Sequence, residues 1–236
     1  MKPVLTYIGR PWRFILGLLW LMSANTALAD TPLALKQSWA GNINYVGTQK
    51  TLRTSPNTSN PCSWVGTAGT TSAAIAGIPA SATIQTAYLY WVGSGATPDY
   101  TVTFEGTSYT ATSQYTSNSV GYRFFSGVVN VTSKVVSKRN GTYSLTNLTI
   151  DNTNNQDNYC SVETVLGGWA LVVVYADASE PMRVINLYEG FQYFNDSSIS
   201  LTLSNFKTPT PLGAATGKAS HISWEGDPTL SGGGED

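Results

Sequence analysis

GGWALVVVYA, residues 167–176, carries no charge and consists largely of β-branched, aromatic and small side chains. Valine and aromatic residues fit a pleated surface best, so the segment predicts a strand. Its apolar residues stand in consecutive rather than alternate places, which is the pattern of a strand covered on both faces. TIQTAYLYWVG, residues 83–93, has the same character over Tyr88, Leu89, Tyr90, Trp91 and Val92. Two such segments call for two layers of cover, and the rest of the chain supplies β material for both.

Residues 100–104 (YTVTF) and 107–112 (TSYTAT) meet at Glu105-Gly106 and predict a hairpin. Residues 120–131, 142–150, 182–189 and 198–206 add further β segments, and residues 132–138 read as a short helical turn ahead of Asn140-Gly141. Residues 51–82, rich in Thr, Ser, Pro, Gly and Ala, read largely as loop, as do residues 151–158 (DNTNNQDN). Beyond residue 29 no apolar stripe of helical period extends over ten residues. Eight or more short strands with regular turn signals predict an all-β fold, a single antiparallel β-sandwich of jelly-roll-like character. It is expected to span residues 30–230, with residues 231–236 a Gly-rich linker or a truncated end.

Of the 236 residues, 42% are hydrophobic and 11% aromatic, enough for a core and too much for a disordered chain. Only 11% are charged, against roughly 25% in soluble domains, which excludes a coiled coil. Residues 1–29 read as a secretory signal peptide. Lys2, Arg10 and Arg13 precede the apolar run Phe14–Met22, and Ala27-Leu28-Ala29 is the cleavage site. The run is about half the ~20 residues of a spanning helix. Its removal leaves 207 residues with 10 basic and 14 acidic side chains, a net charge of −4. With no basic cluster there is no footprint for nucleic acid and none for an anionic membrane surface. The expected location is secreted, extracellular or in the cell envelope, with no membrane insertion after cleavage.

Export places Cys62 and Cys160 in an oxidising compartment, where a disulfide between them is the expected outcome. It would close a loop of about 99 residues and contribute on the order of 4–5 kcal/mol in the chain-entropy model. Two buried thiols or a metal pair are the alternatives. The second is disfavoured by the single histidine and the missing C-x-x-C spacing.

Catalytic patterns are sparse. A Ser-His-Asp site would have to use His221, the only imidazole, and no G-x-S-x-G elbow occurs. Glycoside hydrolysis needs only two carboxylates across a cleft, for which Glu105, Glu163, Glu189, Glu225 and Asp227 are formal candidates. Trp224, Glu225 and Asp227 form the most suggestive local cluster for ligand binding. Asp151, Thr153, Asn155 and Asp157 place oxygen ligands at every second position, as Ca²⁺ loops do. The spacing lacks the Gly and Glu of an EF-hand, and Asx turns explain the cluster as well. No other cofactor is implied. Trp91 and Trp169 lie in the most apolar strands and are expected in the core. Trp39, Trp64 and Trp224 are the tryptophans open to stacking on a ligand.

GNINYVGTQKTL (41–52), AYLYW (87–91), LGGWALVVVY (166–175), INLYEGF (185–191) and WEGD (224–227) together resemble an uncharacterised β-rich N-terminal domain of bacterial secreted and surface proteins. In such proteins Ig-like repeats often follow the domain. The resemblance implies a β-sandwich head and a surface or extracellular location, and brings no catalytic residue with it. It also implies that the chain continues beyond Asp236. The expected function is therefore a secreted non-enzymatic module that binds an extracellular ligand, as in adhesion. A carbohydrate-active protein, either a lectin-like module or a two-carboxylate glycosidase, is the alternative.

Overall fold

A computed structural model describes residues 30–54, 63–119, 121–152, 159–160, 164–193, 200–206 and 217–224. Among these the chain is all-β, with ten strands and one short helix. The strands are β1 (Thr31–Thr51), β2 (Thr71–Ile75), β3 (Thr83–Ser94), β4 (Thr101–Phe104), β5 (Thr107–Thr110), β6 (Ser113–Ser119), β7 (Tyr122–Asn130), β8 (Gly141–Thr146), β9 (Gly167–Ala176) and β10 (Met182–Phe191); α1 (Thr132–Lys138) follows β7. They form a six-stranded sheet, β10-β1-β9-β3-β7-β6, and a four-stranded sheet, β2-β8-β4-β5. Every pairing is antiparallel.

The two segments that predict covered strands lie side by side at the centre, with Trp91 opposite Trp169 in the β3–β9 register. Alternation sends Leu89, Trp91, Trp169, Leu171 and Val173 toward the four-stranded sheet, where they pack among Val102, Phe104, Tyr143 and Leu145. Trp91 and Trp169 are both 0% exposed. Tyr90, Ala170 and Val128 point to the opposite face and pack with Tyr88, Val172, Ile222 and Trp224. Both faces of the central strands are thus covered. Gly127 makes room for the Trp91 ring, since a Cβ there would lie 2.4 Å from the indole.

The hairpin forms at Glu105-Gly106, whose φ values of 51° and 70° are those of a two-residue type I′ turn. Glu105 takes this left-handed conformation while its carboxylate is held in place. It accepts from the Ser144 backbone N–H at 2.7 Å and the Lys138 ammonium at 2.5 Å. Burial pushes the Glu105 carboxyl up, but the bonds from Lys138 and Ser144 outweigh it and hold the group below its ordinary value of 4.5. A depressed carboxyl pKa contributes stability that is present above the unfolded value and is lost as pH falls through the folded one. Urea denaturation at pH 7 and pH 3.5 is expected to show a smaller acid loss in Glu105→Gln than in the native chain. Equal losses would exclude the effect.

Besides β1, whose residues 31–50 the sequence pattern does not mark as a strand, three segments depart from the sequence reading. Residues 71–75 (TSAAI), expected as loop, form β2 and pair with β8; Ser72, Ala73 and Ala74 at its centre are small and carry a weak β signal. The second is β6 (SQYTSNS), a polar strand without apolar alternation, which exists because β7 offers it a ladder. Residues 200–206, expected as strand, have no ladder. The Asn186 amide and Tyr188 hydroxyl instead donate to the Ser204 carbonyl, at 2.7 and 3.1 Å, so side chains hold the segment. No helix among the described residues is long and apolar enough to cross a membrane.

Candidate ligand-binding depression

β1 is 21 residues long and changes partner midway. Residues from Ile43 to Thr51 pair with β9, and residues from Thr31 to Asn42 pair with β10. The second pairing makes a ribbon whose inner side chains cover the tyrosine-bearing face of the main sheet. Its register shifts between Leu35 and Gln37, so Lys36 sits at a bulge without a ladder partner. A bulge re-aims a side chain, and Lys36 meets Glu189 at 2.6 and 2.5 Å. The Glu189 side chain is 6% exposed and also accepts from the Tyr115 hydroxyl at 2.7 Å and the Tyr90 hydroxyl at 3.3 Å. Burial first, then the Glu189 bond and charge, pushes Tyr115 up to about 12 and Tyr90 higher still. Both tyrosines therefore remain donors at any physiological pH. The Lys36 ammonium also lies 4.7 Å from the centre of the Tyr88 ring, and Tyr88 donates to Gln37. Tyr115 stands on β6 and Glu189 on β10, so this cluster joins the two end strands of the six-stranded sheet.

Where the ribbon leaves the main sheet, an open depression of about 490 Å³ remains, lined among others by Trp39, Asn42, Ser81, Thr83, Gln85 and Asp177. Trp39 is half-buried, and Thr83 and Gln85 are exposed. Gln85 falls at a second register shift, between Ile84 and Thr86, which turns its amide out of the ladder. Asp177 is committed to the fold, accepting from Ser81 and from the backbone and hydroxyl of Ser179. Those bonds, Ser179 first, hold its carboxyl below the ordinary range. Asn42 donates to the Glu180 carbonyl. By contrast, no side-chain hydrogen bond to another described residue engages Trp39, Thr83 or Gln85, so their polar atoms are available to a ligand.

The other residues singled out in the sequence are placed as follows. Trp224 is half-buried and packs over the Tyr90, Val128 and Ala170 cluster; Glu225 and Asp227 lie outside the described residues. Trp64 is half-buried, with the Arg53 guanidinium 5.2 Å from its ring centre. Of the Ca²⁺-like set, Asp151 is tied to Ser94 by its backbone, while Thr153, Asn155 and Asp157 lie outside the described residues. Among the described residues no three His, Cys, Asp or Glu side chains gather as metal ligands would. Cys160 is buried; Cys62, Glu163 and the leader 1–29 are outside the described residues. Glu105 and Glu189 are each occupied by their own lysine. Gln85, Thr83 and Lys36 were not singled out by the sequence, since a bulge leaves only a slip of alternation, as at Gln85-Thr86-Ala87.

Fold and site together define a class: an antiparallel two-sheet β-sandwich with a ribbon folded over one face and an open depression at its root. A family model described as a protein of unknown function (DUF3344) matches residues 28–223, and the chain belongs to that family. No curated protein and no solved structure matches the chain.

Proposed function

We propose that this chain is an exported, non-enzymatic binding module of a cell-surface or extracellular protein of bacterial type, working in adhesion or ligand capture through the depression beside Trp39. The observation that carries this reading is how the carboxylates are used among the described residues. Asp30 accepts from Ser117, Asp99 from the Thr101 and Thr149 N–H groups, and Glu180 from Asn44 and Arg183. With Glu105, Asp177 and Glu189 held as described above, these acids serve the fold. Trp39, Thr83 and Gln85 meanwhile keep polar atoms that no other described residue engages, around a depression of about 490 Å³. Export rests on the three-part leader of residues 1–29, and the Cys62–Cys160 disulfide is part of the same proposal.

The test is to express the full chain with its leader, recover the product and assay its solid-phase binding to immobilised extracellular proteins and polysaccharides. The product is expected to begin at Asp30, to gain 2 Da on reduction, and to be retained by at least one surface. Retention by none of the surfaces, or a product that keeps residues 1–29, would overturn the reading.

A further inference from the structure

We infer that the depression at the root of the β1–β10 ribbon is a site for a neutral carbohydrate, with Trp39 as the stacking platform and Gln85 and Thr83 as the groups that read hydroxyls. This rests on the binding reading above and names the ligand class for the same site. A sugar ring has a C–H face and a polar rim, and it is held by an aromatic face together with donors and acceptors at its edge. The depression offers that pairing in one place, since half-buried Trp39 on β1 faces the start of β3, where Thr83 and Gln85 are exposed.

Three further observations favour a sugar over other ligands. First, the Gln85 amide has two donors and one acceptor oxygen, all uncommitted among the described residues, and the bulge at Ile84–Thr86 aims it outward. Second, the floor is open, because a Cβ at Gly41 would meet nothing within 4 Å. A flat ring can therefore approach the backbone there. Third, no Lys or Arg lines the depression, and its one charged group is the Asp177 carboxylate. The nearest guanidiniums stand behind the lining and are engaged, Arg183 by Glu180 and the Ile43 carbonyl and Arg139 by the Pro79, Ala80 and Ala82 carbonyls, so a phosphate, sulfate or uronate would meet the Asp177 charge without a free cation, and the fitting ligand is uncharged. The open, shallow form suits one or two residues of an extended glycan rather than an enclosed small molecule.

The experiment is calorimetric titration and tryptophan fluorescence of the full exported product, with a panel of neutral oligosaccharides (gluco-, manno-, galacto- and xylo-oligomers) and one acidic one, oligogalacturonate. At least one neutral oligomer is expected to bind and to perturb the fluorescence. Trp39→Ala and Gln85→Ala are each expected to weaken that binding about tenfold with unchanged circular dichroism. Because Gln85 is exposed, its variant tests the site even if Trp39→Ala proves unstable. Neutral-sugar binding unaffected in Gln85→Ala, or preference for oligogalacturonate, would overturn the assignment. So would retention on a protein surface that Trp39→Ala abolishes while no neutral oligomer binds, though that result leaves the module's binding role standing. Failure of both the panel and the solid-phase assay would remove the two readings together.

Discussion

Trp169→Ala is expected to lower the unfolding free energy by about 3–5 kcal/mol, the range for truncating a buried large aromatic. Trp169 is 0% exposed and reaches across the sandwich rather than along it. Its ring meets Phe104 of β4 edge-on, with centroids 6.0 Å apart, and its indole N–H donates to the Thr71 hydroxyl of β2 at 2.8 Å. One side chain thus links β9 of the larger sheet to two strands of the smaller. Phe104 in turn stacks on Tyr143 with centroids 5.6 Å apart, so the cavity would open at the centre of an aromatic group and could not be filled by one side chain turning. Trp169→Phe separates the two contributions. It keeps most of the ring and leaves the hydroxyl of buried Thr71 without its donor, for an expected cost of about 1–2 kcal/mol. Denaturant unfolding of both variants checks this. A similar loss in Phe and Ala would place the stabilisation in the hydrogen bond, and a loss under 1 kcal/mol in Ala would show that the two sheets are held elsewhere.

The parts of the fold legible in the sequence are those where side-chain chemistry and local geometry agree. GGWALVVVYA and TAYLYW announce themselves because a strand covered on both faces needs an unbroken apolar run, and the structure covers both faces. Glu105-Gly106 reads as a turn because two left-handed residues close a tight hairpin and glycine adopts one of them freely. Cover for the second face was not legible. It comes from Ile222 and Trp224 near the end of the described chain and from the first half of β1, whose polar, interrupted pattern (Lys36, Gln37, Ser38) makes sense only once Glu189 and Tyr88 lie beneath it. The described part of residues 198–206 fails in the opposite sense. SISLTLSNF alternates well, yet a strand needs a free ladder, and the described part is held by side chains of β10, leaving Leu201 and Leu203 exposed. The depression is hidden for a related reason. Trp39 was visible as a candidate, but Thr83 and Gln85 join it only because β1 changes partner at Ile43 and β3 slips by one residue at Gln85.

Glu189→Gln is expected to cost about 3 kcal/mol, near the low end for removing one partner of a buried ion pair. The low end applies because Lys36, whose side chain is 21% exposed, can turn its ammonium partly into water once its partner is neutral. Glu189 cannot be replaced by an amide of the same shape without loss. Its two oxygens accept from Lys36, Tyr90 and Tyr115, each of which donates to it, and glutamine presents a single acceptor oxygen and an NH2 group to the same three groups. What distinguishes this cluster from an ordinary ion pair is where its members stand. Tyr115 lies on β6, an end strand whose ladder is to β7, and Glu189 lies on β10, the strand at the other end of the same sheet. Loss of the carboxylate should therefore loosen β6 selectively. Hydrogen exchange of the β6 amides is expected to quicken in Glu189→Gln while those of β3 and β9, in the middle of the sheet, keep their relative protection. The double variant Lys36→Met/Glu189→Leu should recover part of the stability by removing the unpaired charge, yet not the protection of β6, because Tyr115 still lacks its acceptor. Unchanged exchange in β6, with a loss below 1 kcal/mol, would mean that the ribbon closes over the sheet by apolar contact alone and that the Lys36–Glu189 pair merely accompanies it.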